Sequence, residues 1–118
     1  MAKETSEEFP HEVRIVRSSD YRMLYKSGSK IYSEKFVLFW RENKIGHHRL
    51  GITVSRKVGN SVVRNRVKRL LREIFRKSFR QIPGQADILV NVKSGCAGAN
   101  YLGLQAEFLA AARRIGHY

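Results

Sequence analysis

The chain has 118 residues, 42% of them hydrophobic, with 23 Lys or Arg against 10 Asp or Glu and a formal net charge of +13. That length suits one domain with one core and excludes two, and the apolar content fits a folded chain. So positive a balance points to a polyanionic partner, and no apolar run approaches the ~18 residues of a membrane span. Cys96 is the one cysteine, so an intrachain disulfide is excluded. Residues Met1 to Glu8 lack the apolar segment of a secretory signal, and a cytoplasmic protein is the expectation.

Residues 1–12 carry Glu4, Glu7, Glu8 and Glu12 with little that is apolar, and read as a flexible acidic tail ahead of a single domain, 13–118. Ser18-Ser19-Asp20 then offers helix N-cap chemistry. Tyr21, Leu24 and Tyr25 share one face of a short helix that stops near Gly28. Two aromatics one turn apart fit a core contact. On so basic a chain they also fit a platform on which unpaired bases stack.

Ile31 to Trp40 reads as one strand, with Phe36, Leu38 and Trp40 on one face and Lys35, Val37 and Phe39 on the other. Both faces of its second half are apolar. One should meet the helical core, and the other should line a cleft beside Tyr21 and Tyr25. Arg41 to His48 is polar and reads as the loop of a hairpin, with His47 and His48 as loop residues rather than metal ligands. Leu50 to Ser55 alternates: Leu50, Ile52 and Val54 inward, the small Gly51, Thr53 and Ser55 outward. An outward face of small residues suits either plain solvent or the close approach of a nucleotide.

The next stretch is the most unusual. From Arg56 to Arg80 there are ten Lys or Arg and one acid, Glu73. Density of that kind destabilises a fold by self-repulsion unless a partner neutralises it. At about 100° per residue, Val63, Val67, Leu70, Leu71, Ile74 and Ser78 make one apolar stripe, with Arg64, Asn65, Lys68, Arg69, Arg72 and Arg76 opposite. The pattern predicts one long amphipathic helix, capped by Asn60 or Ser61 and stopped before Pro83-Gly84. Arg64-Asn65-Arg66 sets cations at the first turns, where the helix dipole disfavours them. A solvated surface helix would mix signs there.

Ala86 to Val92 is a further strand with Ile88, Val90 and Val92 inward. A Gly- and Ala-rich loop from Lys93 to Asn100 holds Cys96. The last helix runs from about Tyr101 to Ile115 and buries Tyr101, Leu104, Phe108, Ala111, Ala112 and Ile115, with Arg113, Arg114 and His117 at its C-terminal end. The predicted order is α-β-β-α-β-α, an α+β domain with helices packed on a small sheet.

The segment Arg49 to Phe79 resembles the signature region of the bacterial ribonuclease P protein component. Val58-Gly59-Asn60, Arg64-Asn65-Arg66 and Lys68-Arg69-Leu70-Leu71-Arg72 are similar to that family's RNR motif without a gap, and weaker similarity runs from Arg14 to about Arg114. The resemblance implies a β-α-β crossover through the basic helix with the rarer left hand, where general rules predict the right. It implies that Arg56, Arg64, Asn65, Arg66 and Arg69 serve an RNA subunit. It implies that Tyr21, Tyr25, Val37, Phe39, Lys57, Lys68 and Arg72 border a cleft for the 5′ leader of precursor tRNA. It also implies that catalytic Mg2+ is held by the RNA and its interface.

The residues agree that this chain carries no catalytic centre of its own. Beyond the tail, Asp20, Glu34, Glu42, Glu73, Asp87 and Glu107 scatter over different elements with no paired spacing. There is no His-x-Glu, no Cys-x-x-Cys and no Gly-rich phosphate loop. Nothing calls for a membrane or an obligate protein partner. Two readings follow: the protein subunit of a ribonucleoprotein endoribonuclease acting on precursor tRNA, or a non-enzymatic RNA-binding or ribosomal protein using the same cationic helix. Charge does not separate them; the Arg64-Asn65-Arg66 motif and the aromatic pair favour the first.

Overall fold

A computed structural model describes residues 13–116. The acidic stretch 1–12 and His117 lie outside the described residues. The elements are α1 (Ser18–Ser27), β1 (Ser29–Tyr32), β2 (Phe36–Glu42), β3 (Arg49–Val54), α2 (Ser61–Ser78), β4 (Ala86–Val92) and α3 (Tyr101–Ala112), with 3-10 turns at Phe79–Gln81 and Ser94–Gly98. They form an α+β domain around a four-stranded mixed sheet of order β1-β2-β4-β3. β1–β2 and β2–β4 are antiparallel, while β3 and β4 run parallel with α2 as the crossover between them.

Two strand expectations are corrected. The stretch Ile31 to Trp40 is not one strand but a hairpin, β1 and β2, turning at Ser33, Glu34 and Lys35. The turn is held from outside. Glu107 of α3 accepts hydrogen bonds from the Ser33 hydroxyl and, at 2.7 Å, from the Lys35 amide. The order is therefore α-β-β-β-α-β-α. Arg41 and Glu42 belong to β2, paired with Asp87 and Ala86, so the loop begins after them, and it is not a hairpin loop, because β4 lies between β2 and β3. β4 takes the centre because Asp87, Ile88, Leu89 and Val90 are all buried, so both its faces need cover. His48 is also not a plain loop residue: it is buried, its Nε2 pairs with the Ile82 carbonyl at 3.0 Å and its Nδ1 accepts from the Ala86 amide at 3.1 Å. Those two bonds seal the start of β4 to the end of the loop.

The helices follow their periodicity more closely. Asn60 caps α2, its side chain accepting from the Val63 amide at 3.0 Å. Val67, Leu71, Ile74 and Ser78 are buried as the stripe requires, and Phe75 joins them at its edge. Asn100 caps α3 in the same way through Gly103. α3 ends at Ala112, three residues earlier than predicted, and Ile115 is nevertheless buried. α1 departs from expectation at its start: Arg17 occupies the N-cap with no side-chain bond, and Asp20 instead sits 3.6 Å from Arg49. Gly28 is the C-cap of α1, its N–H bonded to the Leu24 carbonyl, and the position is glycine because a Cβ there would lie 2.6 Å from that carbonyl oxygen.

The sheet divides two cores. α2 and α3 pack on one face over Ile31, Phe36, Leu38, Trp40, Ile88 and Val90. α1 packs on the other, where Leu24 meets Ile15, Phe39 and Leu89. On that second face the register aligns two rows. Lys30, Phe39, Leu89 and Gly51 form the row beneath α1; Tyr32, Val37, Asn91 and Thr53 form the next. One short helix covers only the first row. The second is only partly covered, its Val37, Asn91 and Thr53 half-buried and Tyr32 67% exposed at its outer end.

Candidate RNA-binding surface

The cationic face of α2 is built unevenly along its length. Near its C-terminus, Glu73 pairs with Arg76 at 2.8 Å and Lys77 at 3.2 Å. The Arg76 hydrogen bond, with Lys77 and both charges, holds the Glu73 carboxyl below its ordinary value despite some burial. Among the described residues no acid pairs with Arg64, Lys68, Arg69 or Arg72. Arg69 and Arg72 are exposed, and Lys68 is half-buried. The N-terminal two-thirds of the helix therefore carries the unneutralised charge.

The Arg64-Asn65-Arg66 motif does not present two free guanidiniums. Arg64 donates its Nε–H to the Gly59 carbonyl at 3.1 Å, which locks the turn before the helix. Arg66 reaches across to the loop after β4, donating to the Ala99 carbonyl at 2.6 Å and the Ala97 carbonyl at 3.3 Å. Each guanidinium has five N–H donors, so both retain donors for another ligand. Asn65 stands exposed between them. Arg56 and Lys57 are exposed in the connection from β3 to α2. The Lys57 carbonyl accepts from Ser94 Oγ at 3.4 Å, which brings that connection beside the loop after β4.

Lys68 and Arg72 line a groove of about 320 Å³ together with Arg14, Ile15, Val16, Tyr21, Leu50 and Ile52. The groove joins α2 to the N-terminal segment that pairs beside β3, where the Ile15 amide donates to the Leu50 carbonyl at 3.0 Å. Tyr21 closes it as part of the framework. Its hydroxyl donates to the Ile15 carbonyl at 3.0 Å, and its ring lies where a Cβ on Gly51 would come within 3.0 Å. That is why the outward position of β3 is glycine. Burial, with Tyr25 adding to it, raises the Tyr21 phenol above its ordinary value against the opposing pull of Arg72 and the Ile52 amide.

The other predicted cleft residues gather on the open sheet face. Tyr25 is 40% exposed and stands edge-on to Phe39, ring centroids 4.9 Å apart. Phe39 is buried, with Lys30 Nζ 5.6 Å from its ring centre, so it supports Tyr25 from beneath rather than forming an open floor. Val37, half-buried, lies in the open row. The sequence reading passed over Asn91 and Tyr32 of the same row. The alternation of β4 carried the signal for Asn91: with Ile88, Val90 and Val92 inward, an amide points the other way.

The buried carboxylates among the described residues are taken up by cationic and hydrogen-bonding partners. Arg49 clamps Asp87 through two bonds of 2.8 and 2.6 Å, and Asn43 adds a third at 2.9 Å. Burial would raise Asp87, but these donors and the Arg49 and Arg41 charges together hold it below its ordinary value. Burial would likewise raise Glu107, and Ser33 and Lys35 keep it below. Glu34 and Glu42 are exposed on separate elements. Among the described residues no three His, Cys, Asp or Glu side chains come together, and no helix is long and apolar enough to cross a membrane. Cys96 is buried, and burial raises its thiol further from the reactive form.

Comparison with known proteins agrees with this arrangement. The ribonuclease P family model matches residues 9–116. The ribonuclease P protein component of Desulfovibrio desulfuricans is 38% identical over 113 residues, 92% of this chain and 87% of the relative. That of Staphylococcus epidermidis is 39% identical over 95 residues, 80% of this chain and 82% of the relative. Among solved structures, the RNase P protein of Thermotoga maritima superposes with a TM-score of 0.80 at 31% identity, covering 86% of this chain and 96% of its own. The Staphylococcus aureus RNase P protein gives 0.79 at 33% identity, covering 88% and 95%. With the family model matched across nearly the whole domain and the fold shared at this identity, the chain belongs to the ribonuclease P protein family.

Proposed function

We propose that this chain is the protein subunit of ribonuclease P, the ribonucleoprotein endonuclease that removes the 5′ leader from precursor tRNA, and that it binds both the RNA subunit and the leader. The observation that carries the reading is the unneutralised stretch of α2 from Arg64 to Arg72. It bears the motif residues of the family, and its Lys68 and Arg72 line a groove together with Tyr21.

The division of work follows from what each group can do. Arg56, Arg64, Asn65, Arg66 and Arg69 contact the RNA subunit, the cations neutralising phosphates and fixing register without reading sequence. Lys57, Lys68 and Arg72 line the leader path as phosphate contacts. Tyr25, backed by Phe39 and beside Val37, stacks on leader bases, which tolerates many sequences because every base has a π-face. Tyr21 shapes the groove wall. Among the described residues no three His, Cys, Asp or Glu side chains come together that could hold a metal ion for phosphodiester hydrolysis. Catalysis and its Mg2+ therefore belong to the RNA subunit in this proposal, and the protein contributes grip and position. The particle works in the bacterial cytoplasm, where precursor tRNA is made.

The test is cleavage of precursor tRNA by a bacterial ribonuclease P RNA at a magnesium concentration too low for the RNA alone. Adding this chain should restore cleavage at the mature 5′ end. Equal cleavage with and without it would overturn the proposal.

A further inference from the structure

The two helices that share one face of the sheet end side by side. The 3-10 turn Phe79–Gln81 continues α2, and Arg113 is the C-cap of α3. Arg113 donates to Gln81 Oε1 at 3.4 Å, which joins the two ends. Arg80, Arg113 and Arg114 are all exposed there, and among the described residues none of them pairs with an acid. Glu73, the acid of α2, is taken by Arg76 and Lys77.

Helix dipoles account for part of this charge. A helix C-terminus carries a charge of about −0.5, so two of them call for about one cation. Three unpaired guanidiniums exceed that by about two. The excess repels itself, and a bound anion relieves it. An aromatic ring stands in the same turn. Phe79 is 40% exposed and is backed by the buried Phe75, ring centroids 6.3 Å apart and planes at 31°. A half-open ring beside cations is the pairing that holds single-stranded nucleic acid, the ring for a base and the cations for phosphates. The patch lies apart from the surface described above. At ~1.5 Å per residue it is about 20 Å along α2 from Arg66. It belongs to the α2–α3 side of the sheet, whereas Tyr25 belongs to the α1 side. An RNA lying on Arg64 to Arg69 reaches it by following one helix, without crossing the sheet.

We propose that Phe79, Arg80, Arg113 and Arg114 form a second RNA-binding site, which takes an unpaired strand of the RNA subunit: Phe79 stacks on a base and the three guanidiniums neutralise phosphates. The inference rests on the RNA-subunit role given above and extends it to the far end of α2. The chain then grips its RNA at two points about 20 Å apart, which fixes orientation as well as affinity.

The experiment measures binding of the chain to ribonuclease P RNA over a range of salt, with hydroxyl-radical footprinting of the RNA backbone. In Arg80→Gln/Arg113→Gln/Arg114→Gln the log–log slope of affinity against salt should fall by about two units, at ~0.7 per phosphate of an unpaired strand. One protected stretch of RNA should disappear in that variant and persist in Arg66→Ala. Phe79→Leu keeps an apolar contact with Phe75 and should weaken binding about five- to a hundredfold with the slope unchanged, the factor for one lost stack. If the triple variant melts below the wild type, Arg80→Gln/Arg114→Gln, which keeps the bond from Arg113 to Gln81, carries the same test with a change of about 1.4 units. An unchanged slope and footprint overturn the inference, and so does a loss confined to precursor tRNA, which would assign the patch to the substrate. If the wild-type chain does not bind the RNA subunit, the RNA-subunit role itself fails; if Arg66→Ala weakens that binding and the distal variants do not, only this second site fails.

Discussion

Replacing Arg66 by Ala should weaken the fold as well as RNA binding, because the guanidinium ties α2 to the loop after β4. Its bond to the Ala99 carbonyl is short, at 2.6 Å, and that to Ala97 is marginal, at 3.3 Å. A hydrogen bond from a charged donor contributes about 1.5–3 kcal/mol when well sheltered. Arg66 is mostly exposed, so solvent screening reduces the pair to about 1 kcal/mol in total. For a domain of this size that corresponds to a fall of about 4 °C in the thermal midpoint. Circular dichroism melts of Arg66→Ala and Arg66→Lys check it, with Lys expected between Ala and wild type because it can reach one carbonyl at most. Amide exchange in the segment 94–100 should quicken in step. The reasoning is refuted if Arg66→Ala melts with the wild type and its loop exchanges no faster. Any loss of RNA binding in that variant would then come from phosphate contact alone.

Three further outcomes follow from the same geometry. Tyr21→Phe keeps the ring but removes the bond to the Ile15 carbonyl, and should lower stability by about 1 kcal/mol in urea melts; an unchanged midpoint would free Tyr21 for a ligand role. Asp87 has a depressed carboxyl pKa, so the unfolded chain takes up its proton first as pH falls. Its contribution is full above the unfolded value near ~3.9 and is lost below that, as pH passes through the folded value. Asp87→Asn should therefore flatten the fall of stability between pH 5 and pH 2, roughly the span in which carboxylates titrate, and an equally steep fall would contradict the Arg49 clamp. Lys68→Glu should weaken binding of precursor tRNA more than assembly with the RNA subunit, because Lys68 lines the groove with Tyr21 and Arg72; equal losses in filter binding of the two RNAs would remove that division of labour.

What was legible in the sequence was what local periodicity records. The apolar stripe of α2, its Asn60 cap, the face alternation of β2 and β4, and the cationic face could all be read from neighbours within a few residues. What was not legible depended on partners far along the chain. Ser33 to Lys35 reads as a continuation of a strand until Glu107, on α3, turns it. The loop before β3 reads as a hairpin until β4 takes the place between β2 and β3. His48 looks like a surface histidine because its two partners, Ile82 and Ala86, are 34 and 38 residues away. In the candidate site, motif similarity picked out Arg64 and Arg66, but not that their guanidiniums already hold Gly59, Ala97 and Ala99. The aromatic pair was read as one surface. The fold separates it into Tyr21, bonded into the frame, and Tyr25, half-open above Phe39.

The central claim is that this chain gives the particle its hold on the 5′ leader. The most direct measurement is the affinity of ribonuclease P RNA, with and without the chain, for precursor tRNA against the same tRNA lacking its leader. The account predicts that the chain strengthens binding of the precursor more than of the mature form, and that Tyr25→Ala removes about 1–3 kcal/mol of that difference, the range for one lost base stack. Equal strengthening of both forms, or a difference untouched by Tyr25→Ala and by Lys68→Glu alike, would contradict it.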